Sequence, residues 1–90
     1  MSTLRIPTPL RAYAGGQREI AVAGQTVREA LAGVTEQYAG LTPHLFAADG
    51  QLRSYVNLYV NDEDIRNLLG LDTPVRHNDR LMLAPSIAGG

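Results

Sequence analysis

Thr26-Val27-Arg28-Glu29-Ala30-Leu31-Ala32-Gly33-Val34-Thr35-Glu36-Gln37-Tyr38-Ala39-Gly40 is the stretch on which the fold turns. Thr26 and Glu29 stand three residues apart, the spacing of a capping box. In that motif each side chain satisfies a backbone N–H that the first helical turn leaves unpaired. Val27, Ala30, Leu31, Val34 and Tyr38 recur at helical spacing and form one apolar stripe. Gly33 falls off that stripe, at about 1 kcal/mol relative to alanine. Gly40 is placed to end the helix and Pro43 to bar its continuation. One amphipathic helix of about three turns is predicted, and its single stripe needs an apolar sheet face to cover it.

The flanks supply that sheet. Upstream, Thr3-Leu4-Arg5-Ile6 alternates polar with apolar, a half-buried strand with Leu4 and Ile6 inward. Pro7 and Pro9 interrupt its pairing, and residues 10–14 read as a resumed extended segment. Gly15-Gly16 tolerates positive φ and reads as a hairpin turn, with a return strand over residues 17–23 that turns Ile20 and Val22 to one side. Downstream, residues 41–52 read as a loop with a short turn. Tyr55-Val56-Asn57-Leu58-Tyr59-Val60 is a strand by composition and alternation, with Val56, Leu58 and Val60 facing the core. Asn61-Asp62-Glu63-Asp64 is a predicted turn, Ile65-Arg66 a short strand, and residues 68–74 a compact loop. After a turn at His77-Asn78-Asp79, Leu81 and Leu83 alternate with Met82 and Ala84 in a last strand. Pro85 is expected to end its pairing and leave residues 86–90 extended. The order hairpin, helix, strands, tail describes an α+β chain of the β-grasp type, as in ubiquitin. A mixed four- to five-stranded sheet would carry one amphipathic helix across one face. Residues 1–85 form the domain and residues 86–90 a flexible Gly-Gly tail.

Composition narrows the function classes. Ninety residues with 44% hydrophobic and 19% charged content suffice for one modest core and argue against wholesale disorder. A net charge of −1 leaves no basic footprint for nucleic acid. Cysteine is absent, which removes disulfides, thiolate metal sites and thiol nucleophiles. Residues 1–5 do not lead into a long apolar run, so a cytoplasmic protein without a membrane span is expected. All eight basic residues are arginine. A chain with an activated acyl end would profit from having no lysine amines to capture it, but the codon bias of a GC-rich genome explains the same composition more simply.

The last two residues, Gly89 and Gly90, read equally as a frayed chain end or as the mark of one kind of chemistry. A carboxylate borne on two residues without Cβ atoms can pass down a narrow channel into another protein's active site. The segment Asp79-Arg80-Leu81-Met82-Leu83-Ala84-Pro85-Ser86-Ile87-Ala88-Gly89-Gly90 resembles the ending of ThiS/MoaD-type sulfur carriers: an acidic turn, an apolar strand, a proline and a terminal Gly-Gly. Ile6-Pro7-Thr8, Leu10-Arg11 and Gly15-Gly16 extend the likeness, as does Val56-Asn57-Leu58-Tyr59-Val60-Asn61-Asp62-Glu63-Asp64-Ile65-Arg66. They look most like the branch that supplies sulfur for cysteine biosynthesis. His77-Asn78-Asp79 departs from the Asp-Gly-Asp often found there, which touches the turn and not the tail.

That resemblance implies a protein co-substrate rather than an enzyme. An E1-like, ATP- and Mg²⁺-dependent adenylyltransferase/sulfurtransferase would activate Gly90 and convert it to a thiocarboxylate. A sulfur-accepting enzyme such as a pyridoxal-phosphate cysteine synthase would consume it, and a metalloprotease would release the product from the tail. These cofactors belong to the partners; none is expected to bind here. Ser86, Ile87, Ala88 and Gly89 would occupy the partner's channel. Docking is assigned to Tyr55, Tyr59, Met82 and Ala84 on the sheet face away from the helix, a set equally readable as ordinary cross-strand neighbours. His44 and His77 read as surface residues, and Asp62-Glu63-Asp64 as a solvated turn without a calcium-loop pattern. No metal site is expected. The rivals are the small subunit of molybdopterin synthase, a ubiquitin-like protein modifier, and a β-grasp interaction module with an inert tail.

Overall fold

In a computed structural model, which describes residues 1–85, the predicted helix runs Val27–Gln37 (α1). Thr26 Oγ1 accepts from the Glu29 N–H at 3.2 Å, and a Glu29 carboxylate oxygen accepts from the N–H of Gln25 at 3.0 Å. The reciprocal capping bond therefore reaches one residue further back than the sequence motif implies. Val27, Ala30, Leu31 and Val34 are buried and Tyr38 packs at the edge, as the stripe requires. Gly40 does not end the helix: Tyr38 leaves helical geometry at φ −125°, and Gly40 sits inside a 3₁₀ turn, Ala39–Leu41. Pro43 opens a new helical turn, Thr42–Leu45 (α2), rather than barring one. Proline is well suited to a first turn because its missing N–H would be unpaired there anyway. Leu41 and Leu45 are thereby buried, so the expected loop is a packed helical connection.

Among the described residues five strands make one mixed sheet: β1 (Ser2–Arg5), β2 (Glu19–Val22), β3 (Val56–Val60), β4 (Glu63–Asp64) and β5 (Arg80–Pro85), in the order β2-β1-β5-β3-β4. β5 is central, parallel to β1 from Thr3↔Arg80 to Arg5↔Met82, and antiparallel to β3 from Val60↔Leu81 to Val56↔Pro85. Alternation turns Leu4, Ile20, Val22, Leu58, Leu81 and Leu83 toward α1, and each is buried. Full burial of such side chains stabilises the fold by about 1.5–3 kcal/mol each.

Four local expectations are corrected. Residues 10–14 are not extended; they belong to a 3₁₀ helix, Thr8–Ala14, which places Leu10 and Ala14 on one buried face. Pro7 and Pro9 fix φ at values that suit a helix start. Gly15 and Gly16, at φ 66° and 76°, close that helix instead of forming a two-residue hairpin loop, although β1 and β2 do pair antiparallel. The hairpin turn after β3 is Asn61-Asp62 alone, with φ 51° and 72°; Glu63–Asp64 is already strand and Ile65–Asn67 is a 3₁₀ turn. Asp64 Oδ1 accepts from the Arg66 N–H at 2.8 Å, which draws the chain out of the strand there. Finally, Pro85 still pairs with Val56. Its missing N–H is tolerated because β1 keeps register with β5 only as far as Met82.

Gly24 escapes notice in the sequence, yet it has φ 143°, and a Cβ there would lie 2.8 Å from Glu29 Cβ and 2.9 Å from the Ala30 nitrogen. Only glycine lets the chain pass from β2 so close beneath the start of α1.

Candidate functional site: the open sheet face

Side chains that alternate away from α1 line up across all five strands. Glu19, Arg5, Met82, Tyr59 and Asp64 form one row in direct cross-strand register. A second row joins Ala21, Thr3 and Arg80, and a third pairs Asn57 with Ala84. Of the predicted docking residues, Tyr59 and Met82 are thus directly opposite, and Ala84 is the diagonal neighbour of Tyr59. Met82 is 36% exposed, while Tyr59 and Ala84 are half-buried. Tyr55 stands apart from this order. It lies in the turn before β3, where the Val56 N–H donates to the Arg53 carbonyl at 3.0 Å, and strand alternation does not position it.

Arg5, Thr3, Glu19 and Arg80 were not singled out from the sequence. With Met82, Leu81 and Asp62 they line a groove of about 310 Å³ on this face. The alternation of residues 3–6 already turned Thr3 and Arg5 outward; the missing information was strand order, which sets Arg5 beside Met82. Neither Arg5 nor Arg80 has a carboxylate partner, since Arg28–Asp72 (3.3 Å) is the only ion pair among the described residues. Two unpaired guanidiniums beside a thioether and a tyrosine ring suit a protein contact, where Arg, Met and Tyr are enriched. Acidic groups at both ends of the long row, Glu19 and Asp64, bound the patch.

His44, His77 and Asp79 make structural contacts. His44 stacks on Tyr13 with ring centroids 4.3 Å apart. The Met1 ammonium donates to His77 Nδ1 at 2.7 Å. Among the described residues no three His, Asp or Glu side chains cluster as metal ligands would. Asp79 accepts from the Arg76 N–H at 2.8 Å and from Asn61 Nδ2 at 2.9 Å. Those two bonds, the backbone one foremost, hold its carboxyl below the ordinary value of 3.8 and fix the turn that launches β5. Gly90, Gly89, Ala88, Ile87 and Ser86, the assigned reacting end and channel segment, lie outside the described residues. No helix among the described residues is long and apolar enough to cross a membrane.

Comparison with known proteins agrees with this arrangement. The model of the ThiS family matches residues 4–90. The sulfur carrier protein CysO of Mycobacterium tuberculosis is 37% identical over 90 residues, covering 98% of this chain and 97% of its own length. The crystal structure of the Amycolatopsis orientalis BexX/CysO complex superposes with a TM-score of 0.92 at 38% identity, with both chains fully covered. The small archaeal modifier protein 1 of Methanosarcina acetivorans follows the same path, with a TM-score of 0.88 at 26% identity over 99% of this chain and 95% of its own. With its ubiquitin-like β-grasp domain and a match that runs through the terminal glycines, the chain belongs to the ThiS family.

Proposed function

We propose that this protein is a ubiquitin-like sulfur carrier whose Gly90 carboxylate is converted to a thiocarboxylate and that its sulfur serves cysteine biosynthesis. The observation that carries the proposal is the nearly full-length likeness to CysO, which extends to the Gly89-Gly90 end.

The steps follow from carboxylate chemistry. A carboxylate is a poor electrophile, so one Gly90 oxygen must first attack the α-phosphorus of ATP and expel pyrophosphate. An E1-like partner supplies the nucleotide site and Mg²⁺. Sulfide sulfur then adds to the acyl carbon and AMP leaves, giving the thiocarboxylate. What this chain contributes is delivery. Gly89 and Gly90 keep the reacting end free of side chains, Ala88 adds only a methyl group, and Ser86 and Ile87 span the distance from the sheet. Tyr59, Met82 and Ala84, flanked by Arg5 and Arg80, give the partner a surface to hold while the tail is inserted. A pyridoxal-phosphate enzyme would then take the sulfur, and a metalloprotease would trim the product. That a relative has been crystallised in complex with BexX supports a carrier that works by docking.

The test is intact-mass measurement after incubation with the activating enzyme, ATP, Mg²⁺ and sulfide. One oxygen should be exchanged for sulfur, and deleting Gly90 or appending one residue after it should abolish the exchange. Persistence of the exchange in either variant would refute the assignment of Gly90. Likeness to an archaeal modifier protein favours a second reading, attachment of the tail to lysines of other proteins. Isopeptide-linked conjugates on immunoblots of the native host would reveal it.

A further inference from the structure

A second groove, of about 390 Å³, opens on the opposite side of the sheet from the face described above, at the end where β5 finishes. Its floor is apolar: Leu52, Val56, Leu58, Ile65 and Leu71. Its charged lining is Arg53 and Arg66, and among the described residues no carboxylate lines it. Both guanidiniums are positioned by backbone carbonyls. Arg66 Nη2 donates to the carbonyls of Ser54 (3.0 Å) and Val56 (3.1 Å), and Arg53 Nε donates to that of Pro43 (2.7 Å). Among the described residues no hydrogen bond uses the Nε and Nη1 of Arg66 or the terminal nitrogens of Arg53. A guanidinium anchored in this way keeps a fork of donors that matches a carboxylate. The nearby acids are engaged elsewhere: Asp64 with the Arg66 N–H, Asp49 with the Gln51 N–H, and Asp72 with Arg28.

Two further observations make this more than a crevice. Tyr55 and Leu69, exposed to 43% and 67%, directly flank its lining residues in the chain, and Leu68, 42% exposed, precedes Leu69. Val56, in its floor, is the register partner of Pro85, from which residues 86–90 depart. Five residues span at most about 17 Å, so a protein that engulfs them must press against the surface around Pro85, and this groove lies on it.

We propose that the groove is a second contact for the activating partner and receives an apolar side chain of that protein with a carboxylate beside it. The inference rests on the sulfur-carrier reading, under which adenylation by such a partner precedes every later use of the tail. It adds a site on the helix side of the sheet to the docking face on the other side. Complementarity is of two kinds here: floor to apolar side chain, and Arg53 with Arg66 to carboxylate.

The experiment measures the steady-state rate of thiocarboxylate formation by the activating enzyme against full-length carrier, with Leu69→Asp and Arg53→Glu as variants. Leu69 is mostly exposed, so its replacement leaves the fold intact, and unchanged thermal melting verifies this for both. The KM for carrier should rise about tenfold or more in each, with kcat within about twofold, and added salt should raise KM more steeply for the wild type than for Arg53→Glu. Wild-type KM in both variants would overturn the inference, whereas activity after deletion of Gly90 would overturn the sulfur-carrier reading instead. Amide spectra of the labelled full-length chain titrated with the same enzyme in the absence of ATP give an independent readout. Shifts at Leu52, Arg66 and Leu71 support the contact, and shifts confined to the open sheet face refute it.

Discussion

Alanine substitution at two glycines should move stability in opposite directions. Gly24→Ala forces a residue with a side chain to φ 143°, a strain of about 1–3 kcal/mol. It also drives the new methyl group to 2.9 Å from the Ala30 nitrogen, inside the first turn of α1. Helix backbone cannot yield there without lengthening the cap bonds of Thr26 and Glu29, worth about 1 kcal/mol more. The sum is roughly 2–4 kcal/mol. A domain of 90 residues has roughly 5–13 kcal/mol in total. The melting temperature should therefore fall by roughly 10–20 °C. Gly33→Ala makes the same chemical change mid-helix, where no φ is positive and no atom lies within 4 Å of the new methyl group. It should stabilise by about 0.5–1 kcal/mol through helix propensity. Urea unfolding followed by far-ultraviolet circular dichroism measures both, with equal m-values required for the comparison. If Gly24→Ala falls within about 0.5 kcal/mol of wild type, or both variants shift the same way, the account of the β2–α1 junction is wrong.

Asp79→Asn should destabilise at neutral pH by roughly 0.5–1 kcal/mol, a small figure because the group is well solvated. The folded-state pKa is depressed, so the carboxylate's contribution is present above 3.8 and is lost as pH falls through the lowered value; the gap between variant and wild type should close on acidification, and a gap that widened would refute the sign. Met82→Asp places a charge at the centre of the open face and should weaken activation of the carrier about tenfold while leaving the melting temperature nearly unchanged, which paired kinetic and thermal assays check. Leu58→Ala empties a fully buried core position opposite Leu83, and should cost about 2–5 kcal/mol in urea unfolding without altering the docking face.

Elements whose signal is local were legible before any coordinates. The Thr26–Glu29 box and the stripe from Val27 to Val34 specify α1, and the alternation in Val56-Asn57-Leu58-Tyr59-Val60 specifies both β3 and the face that Tyr59 occupies. What misled was proline and glycine. Pro7, Pro9 and Pro43 are read as breaks, yet each stands at a helix start, where a fixed φ and a missing N–H are assets. Gly15-Gly16 has the composition of a hairpin turn and serves to stop a 3₁₀ helix, because the preceding five residues wind instead of extending. The proposed docking surface divides in the same way. Tyr59, Met82 and Ala84 follow from alternation within single strands. Arg5 and Arg80 required the parallel pairing of β1 with β5, a contact between residues some seventy-five positions apart that no local pattern records.

Placing β5 at the middle of the sheet has a mechanical consequence. A partner that draws on the chain beyond Pro85 pulls along the axis of a strand bonded to β1 on one side and to β3 on the other. Such a load shears many hydrogen bonds together, whereas an edge strand would peel away one bond at a time. Under the proposed function, pulling on the chain beyond Pro85 would therefore leave the domain behind it intact as a rigid handle.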